Sequence, residues 1–232
     1  MDILRFLLAI VIVLILSIII KRSKTLDNKG ILASAIMGFF LIYFCGFKFF
    51  LILLSFFVLC SLASRLGKEK KKKLKNLEVC RGLKNVLANG LPPLIFAILY
   101  LIGFNFGLVG YVASIASATS DTFSSEIGIL SNEKPRLITT FKEVKEGEDG
   151  GITLLGLLAG LLGSFLIGVV GFILFNDFKL LVSSTIAGFL GNIVDSYIGA
   201  TLERKKIVNN EITNFLANLL GGIFGIILYF LF

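Results

Sequence analysis

The sequence predicts an all-α, polytopic transmembrane helix bundle of about eight spans, and three observations lead to it. The chain is 56% hydrophobic with a mean hydropathy of +0.93, well above the usage of a soluble domain. Its apolar runs reach the ~20 residues that carry a helix across a bilayer. Its cations gather on alternate connections between those runs. Eight spans of about 20 residues each leave too little chain for a separate soluble unit. Residues 1–232 therefore read as a single transmembrane domain, with a three-helix N-terminal part at 1–64 and the bundle that carries the candidate chemistry at 81–232.

The first run, 3–20, ends at Lys21-Arg22 without a small-residue cleavage site and reads as a retained helix. Runs at 30–45 and 47–64 follow. The fourth, 86–103, is interrupted near its start by Pro92-Pro93, and the fifth, 106–120, is short. Either can be broken or half-inserted, so the count is seven or eight. The sixth, 151–175, places Gly156, Gly160, Ser164 and Gly168 at four-residue spacing, which lets helices approach closely. Runs at 178–199 and 212–232 complete the set.

Connection 21–29 holds four basic residues, 65–84 nine, 121–150 four and 200–211 three, together twenty of the 23 cations. By the positive-inside rule these connections face the cytoplasm and both termini lie outside, with the cell membrane as the expected location. The lysine run at 70–73 is the strongest topology signal, and it can also hold anionic headgroups. No nucleic-acid partner is expected. The chain has no histidine, which removes the usual general base and the commonest transition-metal ligand. Cys45, Cys60 and Cys80 are too scattered for a ligand motif and read as reduced packing residues.

Polar residues inside spans are costly, so their positions are informative. Arg81, Asn85 and Asn89 follow i, i+4, i+8 spacing into the fourth span. The fifth ends in Asp121, Thr122, Ser125 and Glu126. Asn192, Asp195, Ser196 and Gly199 form a stripe near the end of the seventh, and Glu211, Asn214 and Asn218 one at the start of the eighth. Under the topology above, every stripe lies at the cytoplasmic face. A transporter would carry such groups near the midplane. Single Ser, Thr and Asn residues are explained as interhelical hydrogen bonding, whereas Asp121 and Asp195 together point to function.

Asp121, Glu126 and Asp195, with amides and hydroxyls, make a hard-oxygen donor set that suits Mg²⁺ and not zinc or copper. Arg81, Arg204, Lys205 and Lys206 can neutralise phosphate charge. The turn Gly147-Glu148-Asp149-Gly150-Gly151 leads into the sixth span, where backbone N–H groups can face an anion; an ordinary loop explains it equally well. An existing phosphate oxygen is already a nucleophile at neutral pH, so phosphoryl transfer to a phosphate asks little of a base.

The run Asp121-Thr122-Phe-Ser-Ser125-Glu126-Ile-Gly128 resembles the signature of the membrane family containing plant phytyl-phosphate kinase of vitamin E synthesis. So do Arg81 through Asn89-Gly90, Gly150-Gly151 opening a glycine-rich helix, Asp195-Ser196 with Gly199-Ala200-Thr201, and Asn209 with Asn214-Phe215. More distantly the chain is similar to the CTP-dependent polyprenol, dolichol and phytol kinases. The resemblance implies a kinase that takes a phosphoryl group from a nucleoside triphosphate, CTP by preference, and converts a prenyl monophosphate into the diphosphate. It implies that Asp121, Glu126 and Asp195 hold metal and nucleotide phosphates, that Arg81 and Asn89 bind phosphate, and that Asn214 completes the pocket. Asn85, Thr122, Ser125, Gly150, Gly151, Ser196, Arg204 and Asn218 are the further candidates for substrate and nucleotide binding. Where the family pattern reads Gly-Thr-Asn-Gly-Gly, this chain has Glu148-Asp149 in the middle positions. A prenyl-alcohol kinase, a CTP-dependent lipid cytidylyltransferase and a non-enzymatic transporter are the alternative readings.

Overall fold

The computed structural model describes residues 3–66 and 81–232; the lysine run at 70–73 and Cys80 lie outside them. Among the described residues are α1 (Ile3–Ser23), α2 (Asn28–Phe40, prolonged by a π-turn, Leu41–Cys45), α3 (Phe47–Leu66), α4 (Leu83–Leu101) and α5 (Phe106–Gly128). They continue with α6 (Leu154–Phe175), α7 (Phe178–Ile198, prolonged by a π-turn, Gly199–Glu203) and α8 (Asn210–Leu231). Four helix starts are set by short polar side chains. Asp27, Thr153, Asp177 and Asn209 each accept a backbone N–H three residues on, at 2.6, 3.0, 3.2 and 3.0 Å, satisfying donors that the helix itself leaves open.

Seven of the helices are long and apolar enough to cross a membrane. The eighth, α5, does not show that hydropathy, and its surroundings explain why. It is the hub of the bundle, packed by α3, α4, α6, α7 and α8, and seventeen of its 23 residues are buried. A helix wrapped by other helices needs small and polar residues to fit them, not an apolar coat for lipid. The expectation of a short fifth span is corrected. α5 runs unbroken for about 34 Å at 1.5 Å per residue, and its last two turns carry Asp121 and Glu126 as helical residues. Pro92 and Pro93 do not break α4. Lacking N–H groups, they leave the carbonyls of Ala88 and Asn89 without their usual helical donors.

Phe49, Tyr111, Ile115, Ile167 and Leu180 form the apolar core, where the Tyr111 hydroxyl donates to the Phe49 carbonyl at 2.6 Å. The glycine ladder of α6 serves packing, as its spacing predicts: Gly156 meets the carbonyl of Ser124 on α5, and Gly168 that of Leu181 on α7. The all-α bundle holds; among the described residues it carries one small antiparallel ribbon, β1 (Arg136–Leu137) with β2 (Gly151–Ile152), which folds the α5–α6 connection over one end of the bundle. Cys45 and Cys60 are free thiols. Leu14, Ile19, Leu62, Leu158 and Ile173 are among the large apolar side chains turned outward, the surface a bilayer would cover.

Candidate functional site

The polar stripes converge on one cavity of about 990 Å³ at the end of the bundle where α3, α5 and α7 finish and α4, α6 and α8 begin. Asp121, Thr122, Ser125 and Glu126 reach it from α5, and Asp195 and Ser196 from α7. Arg81, Asn85, Asn89, Gly150, Gly151 and Asn214 complete its polar wall. Of the expected phosphate- and substrate-binding residues, Arg204, Lys205, Lys206 and Asn218 do not line it.

The wall includes a pair of part-buried acids. The Asp195 carboxyl is in hydrogen-bond contact with that of Asp121, and Glu203 and Asp149 lie within electrostatic reach. Asp195 Oδ2 is buried without a hydrogen-bond partner, as is the neighbouring Asn192 Nδ2. Two carboxylates in contact cannot both stay ionised unless a proton or a cation is shared between them. Asp149, outside the membrane-spanning helices, is shifted in the same sense. Burial pushes its carboxyl above the ordinary value, Arg204 pulls it back and Glu148 adds to the rise.

Glu126 stands elsewhere. Arg81 Nη2 lies 3.7 Å from Glu126 Oε1, and Ser64 joins them, accepting from Arg81 and donating to Glu126, each at 3.1 Å. Among the described residues no group of three or more potential ligands is arranged to hold a metal unaided, so the expected trio of acids does not form a closed cage. What forms is an acidic pair flanked by an ion pair. The backbone of Arg81 is pinned as well: its N–H donates to the Thr25 carbonyl at 3.1 Å, and its carbonyl accepts from Asp27 at 3.2 Å. The α1–α2 turn and the end of α3 thus position a residue of the 81–232 part, a link no spacing rule announces.

Other candidates act from behind. Asn218, almost fully buried, donates to Asn89 Oδ1 at 3.1 Å; Asn89 in turn donates to the Asn85 carbonyl at 3.0 Å. Arg204 pairs with Glu148 at 3.1 Å and ties the α5–α6 connection to the π-turn after α7. Gly150, with φ of +73°, lies so close to Ala200 that no side chain fits. The Gly151 N–H donates to the Glu148 carbonyl at 3.1 Å, so it is committed within the turn rather than offered to a phosphate. The Thr122 hydroxyl bonds the Ala118 carbonyl and that of Ser125 the Thr122 carbonyl, at 3.0 and 3.1 Å.

Among the contributors to this wall that spacing did not single out are Ser64 and Asn210. Ser64 had a signal, a polar residue in the last turn of a span, but not one distinguishable from ordinary interhelical hydrogen bonding. Truncating Arg81 tests the ion pair. Arg81→Ala leaves the buried Glu126 without its cation and is expected to cost about 3 kcal/mol. Adding Glu126→Gln should restore part of that loss, read as thermal unfolding in detergent across the double-mutant cycle. Equal and additive losses would show that the pair is not coupled.

Residues 11–222 match the family model described as Integral membrane protein DUF92. The chain is 57% identical over 228 residues to an uncharacterized membrane protein of Methanocaldococcus jannaschii, across 98% of this chain and 96% of that protein. It is 32% identical over 245 residues to Protein PGR of Arabidopsis thaliana, across 88% of this chain and 83% of that one. It is 31% identical over 216 residues to Protein VTE6, chloroplastic, of the same plant, across 88% of this chain and 65% of that one. No solved structure matches. With nearly its whole length covered by that model, the chain belongs to the integral membrane protein family DUF92.

Proposed function

We propose that this membrane protein is a lipid-phosphate kinase that transfers the terminal phosphoryl group of a nucleoside triphosphate, CTP by the family resemblance, to a prenyl monophosphate. The observation that carries this reading is a single cavity with two chemistries. Its polar end holds Asp121, Asp195 and Arg81, and it continues into an apolar arm lined by Leu16, Met37, Leu53 and Phe57. A water-soluble triphosphate and the head of a membrane lipid can meet only in a space of that kind. The motif resemblance and the relation to Protein VTE6 agree with it. The alternate placement of cations supports an orientation with the polar end toward the cytoplasm.

The residues fit a hard divalent cation. The donors are oxygens, two acids are in contact, and one buried carboxylate oxygen has no other partner. Asp121 and Asp195 would hold Mg²⁺, which supplies neutralisation of the triphosphate charge. Glu126, bound to Arg81, keeps that guanidinium oriented. Arg81 steers an anionic oxygen of the lipid phosphate toward the terminal phosphorus. That oxygen forms the new P–O bond as the bond to the bridging oxygen of the donor breaks, so the nucleoside diphosphate leaves with the electron pair and the lipid diphosphate remains. No side-chain base is required, in keeping with a chain that has no histidine.

Purified protein in detergent, given labelled CTP and geranylgeranyl or phytyl phosphate, is expected to yield the prenyl diphosphate and CDP. Chelation with EDTA should stop turnover and added Mg²⁺ restore it. Pyrophosphate release in place of CDP would assign nucleotidyl transfer instead. Absence of any nucleotide consumption with these lipids, alongside nucleotide-independent flux in liposomes, would replace the kinase with a transporter.

A further inference from the structure

The apolar arm has a defined shape. From α1, Val13, Leu16, Ser17 and Ile20 face it at i, i+3, i+4, i+7 spacing, and from α3 so do Phe50, Leu53, Leu54 and Phe57 at the same spacing. α1 packs chiefly on α2 and its π-turn, and Ala9 is its one buried residue. Its holdfasts lie toward its N-terminal end: Arg5 Nε donates to the Ile42 carbonyl at 2.9 Å, and Phe6 sets its edge against Phe39 and Tyr43 at 5.6 and 5.7 Å between centroids. Nearer the polar end, the cavity itself separates α1 from α3. At the end of the arm away from Arg81, α1, α2 and α3 come together: a side-chain carbon on Gly38 would lie 3.4 Å from Phe50 and 3.6 Å from Val13. From Phe50 to Ser64, which bonds Arg81, α3 rises about 21 Å at 1.5 Å per residue.

We infer that this arm is the tail channel of the phosphorylated isoprenoid, entered sideways from the bilayer between α1 and α3, with Phe50, Val13 and Gly38 as the end wall that limits tail length. The occupant follows from continuity: the arm opens into the chamber where Arg81 stands, so a molecule filling both has an anionic head and a hydrocarbon tail. This identification rests on the lipid-phosphate reading above. A tail of geranylgeranyl or phytyl length spans the distance from Arg81 to the wall, and much longer polyprenyl tails must protrude between α1 and α3.

The test uses geranylgeranyl phosphate carrying a photoreactive diazirine at the tail end, irradiated with the full-length protein in lipid nanodiscs without nucleotide. Label is expected on α1 near Val13 and on α3 near Phe50 and Leu53, displaced by unlabelled geranylgeranyl phosphate and not by inorganic phosphate. Leu53→Trp, a half-buried position, should raise KM for geranylgeranyl phosphate about tenfold while barely changing that for geranyl phosphate, because only the longer tail loses buried methylenes. Val13→Phe, on the facing helix, should act alike and guards against a folding defect in one variant. Label on the outer faces of α6 and α8, or label at the arm that geranylgeranyl phosphate does not displace, overturns the channel, the second result assigning the arm to bulk lipid. Because labelling needs no turnover, displaced label at the arm in a protein without kinase activity would remove the kinase and keep the channel. Turnover with label elsewhere would do the reverse.

Discussion

Asp195→Asn is expected to lower CDP formation by about a thousandfold, the scale seen when one preorganised electrostatic group is removed from a phosphoryl- or acyl-transfer site. The substitution keeps shape and hydrogen-bonding capacity and deletes one charge from the Asp121–Asp195 contact. Its effect on stability should run the other way. Without a cation, two acids in contact oppose each other, with Glu203 and Asp149 adding to the field. Removing one charge relieves that opposition, so the variant should unfold at the same temperature as the native protein or a higher one. The native protein should gain stability from Mg²⁺ and the variant should not, since an ion that binds only the folded state stabilises it by mass action. The measurement is turnover together with thermal unfolding in detergent, each with and without Mg²⁺. Turnover within tenfold of native, or an undiminished Mg²⁺ shift, would take Asp195 out of the site. Such opposition between stability and activity is usual where acids are gathered for function.

The second large effect is structural. Phe96 of α4, almost fully buried, lodges its ring between Gly110 of α5 and Gly222 of α8, where a carbon added to either glycine would fall inside the ring's own space. In a lipid-exposed helix Gly→Ala is favourable by up to about 1 kcal/mol of helix propensity. At Gly222 the clash outweighs that gain, and Gly222→Ala is expected to destabilise the bundle by about 2 kcal/mol net. Since α4 carries Asn85 and Asn89, and α8 carries Asn214 in the wall and Asn218 behind Asn89, the displaced helices should also weaken substrate binding. Phe96→Leu in the same chain frees room and should recover part of the stability. Thermal unfolding of the single and double variants decides it, and a Gly222→Ala protein as stable as native would show that the crossing is looser than the structure has it.

Local physics made much of this protein legible from its residues in order. Apolar run length and alternating cationic connections give a multi-span bundle, because the bilayer demands them of every spanning helix independently of its neighbours. Helical periodicity placed Arg81, Asn85, Asp121, Asp195 and Asn214 at one end, and that end is a single cavity. The tertiary structure alone decided the rest. It set Glu126 on Arg81 through Ser64 rather than beside Asp195, moved Asn218 behind Asn89, and assigned Arg204 to Glu148. Pairings between residues far apart in the chain depend on which helices are neighbours, and periodicity within one helix carries no record of that. The apolar arm was hidden for a related reason. Leu53 facing an internal channel and Leu62 facing lipid obey the same preference for hydrocarbon, so composition cannot separate them, and only the packing of α1, α2 and α3 does.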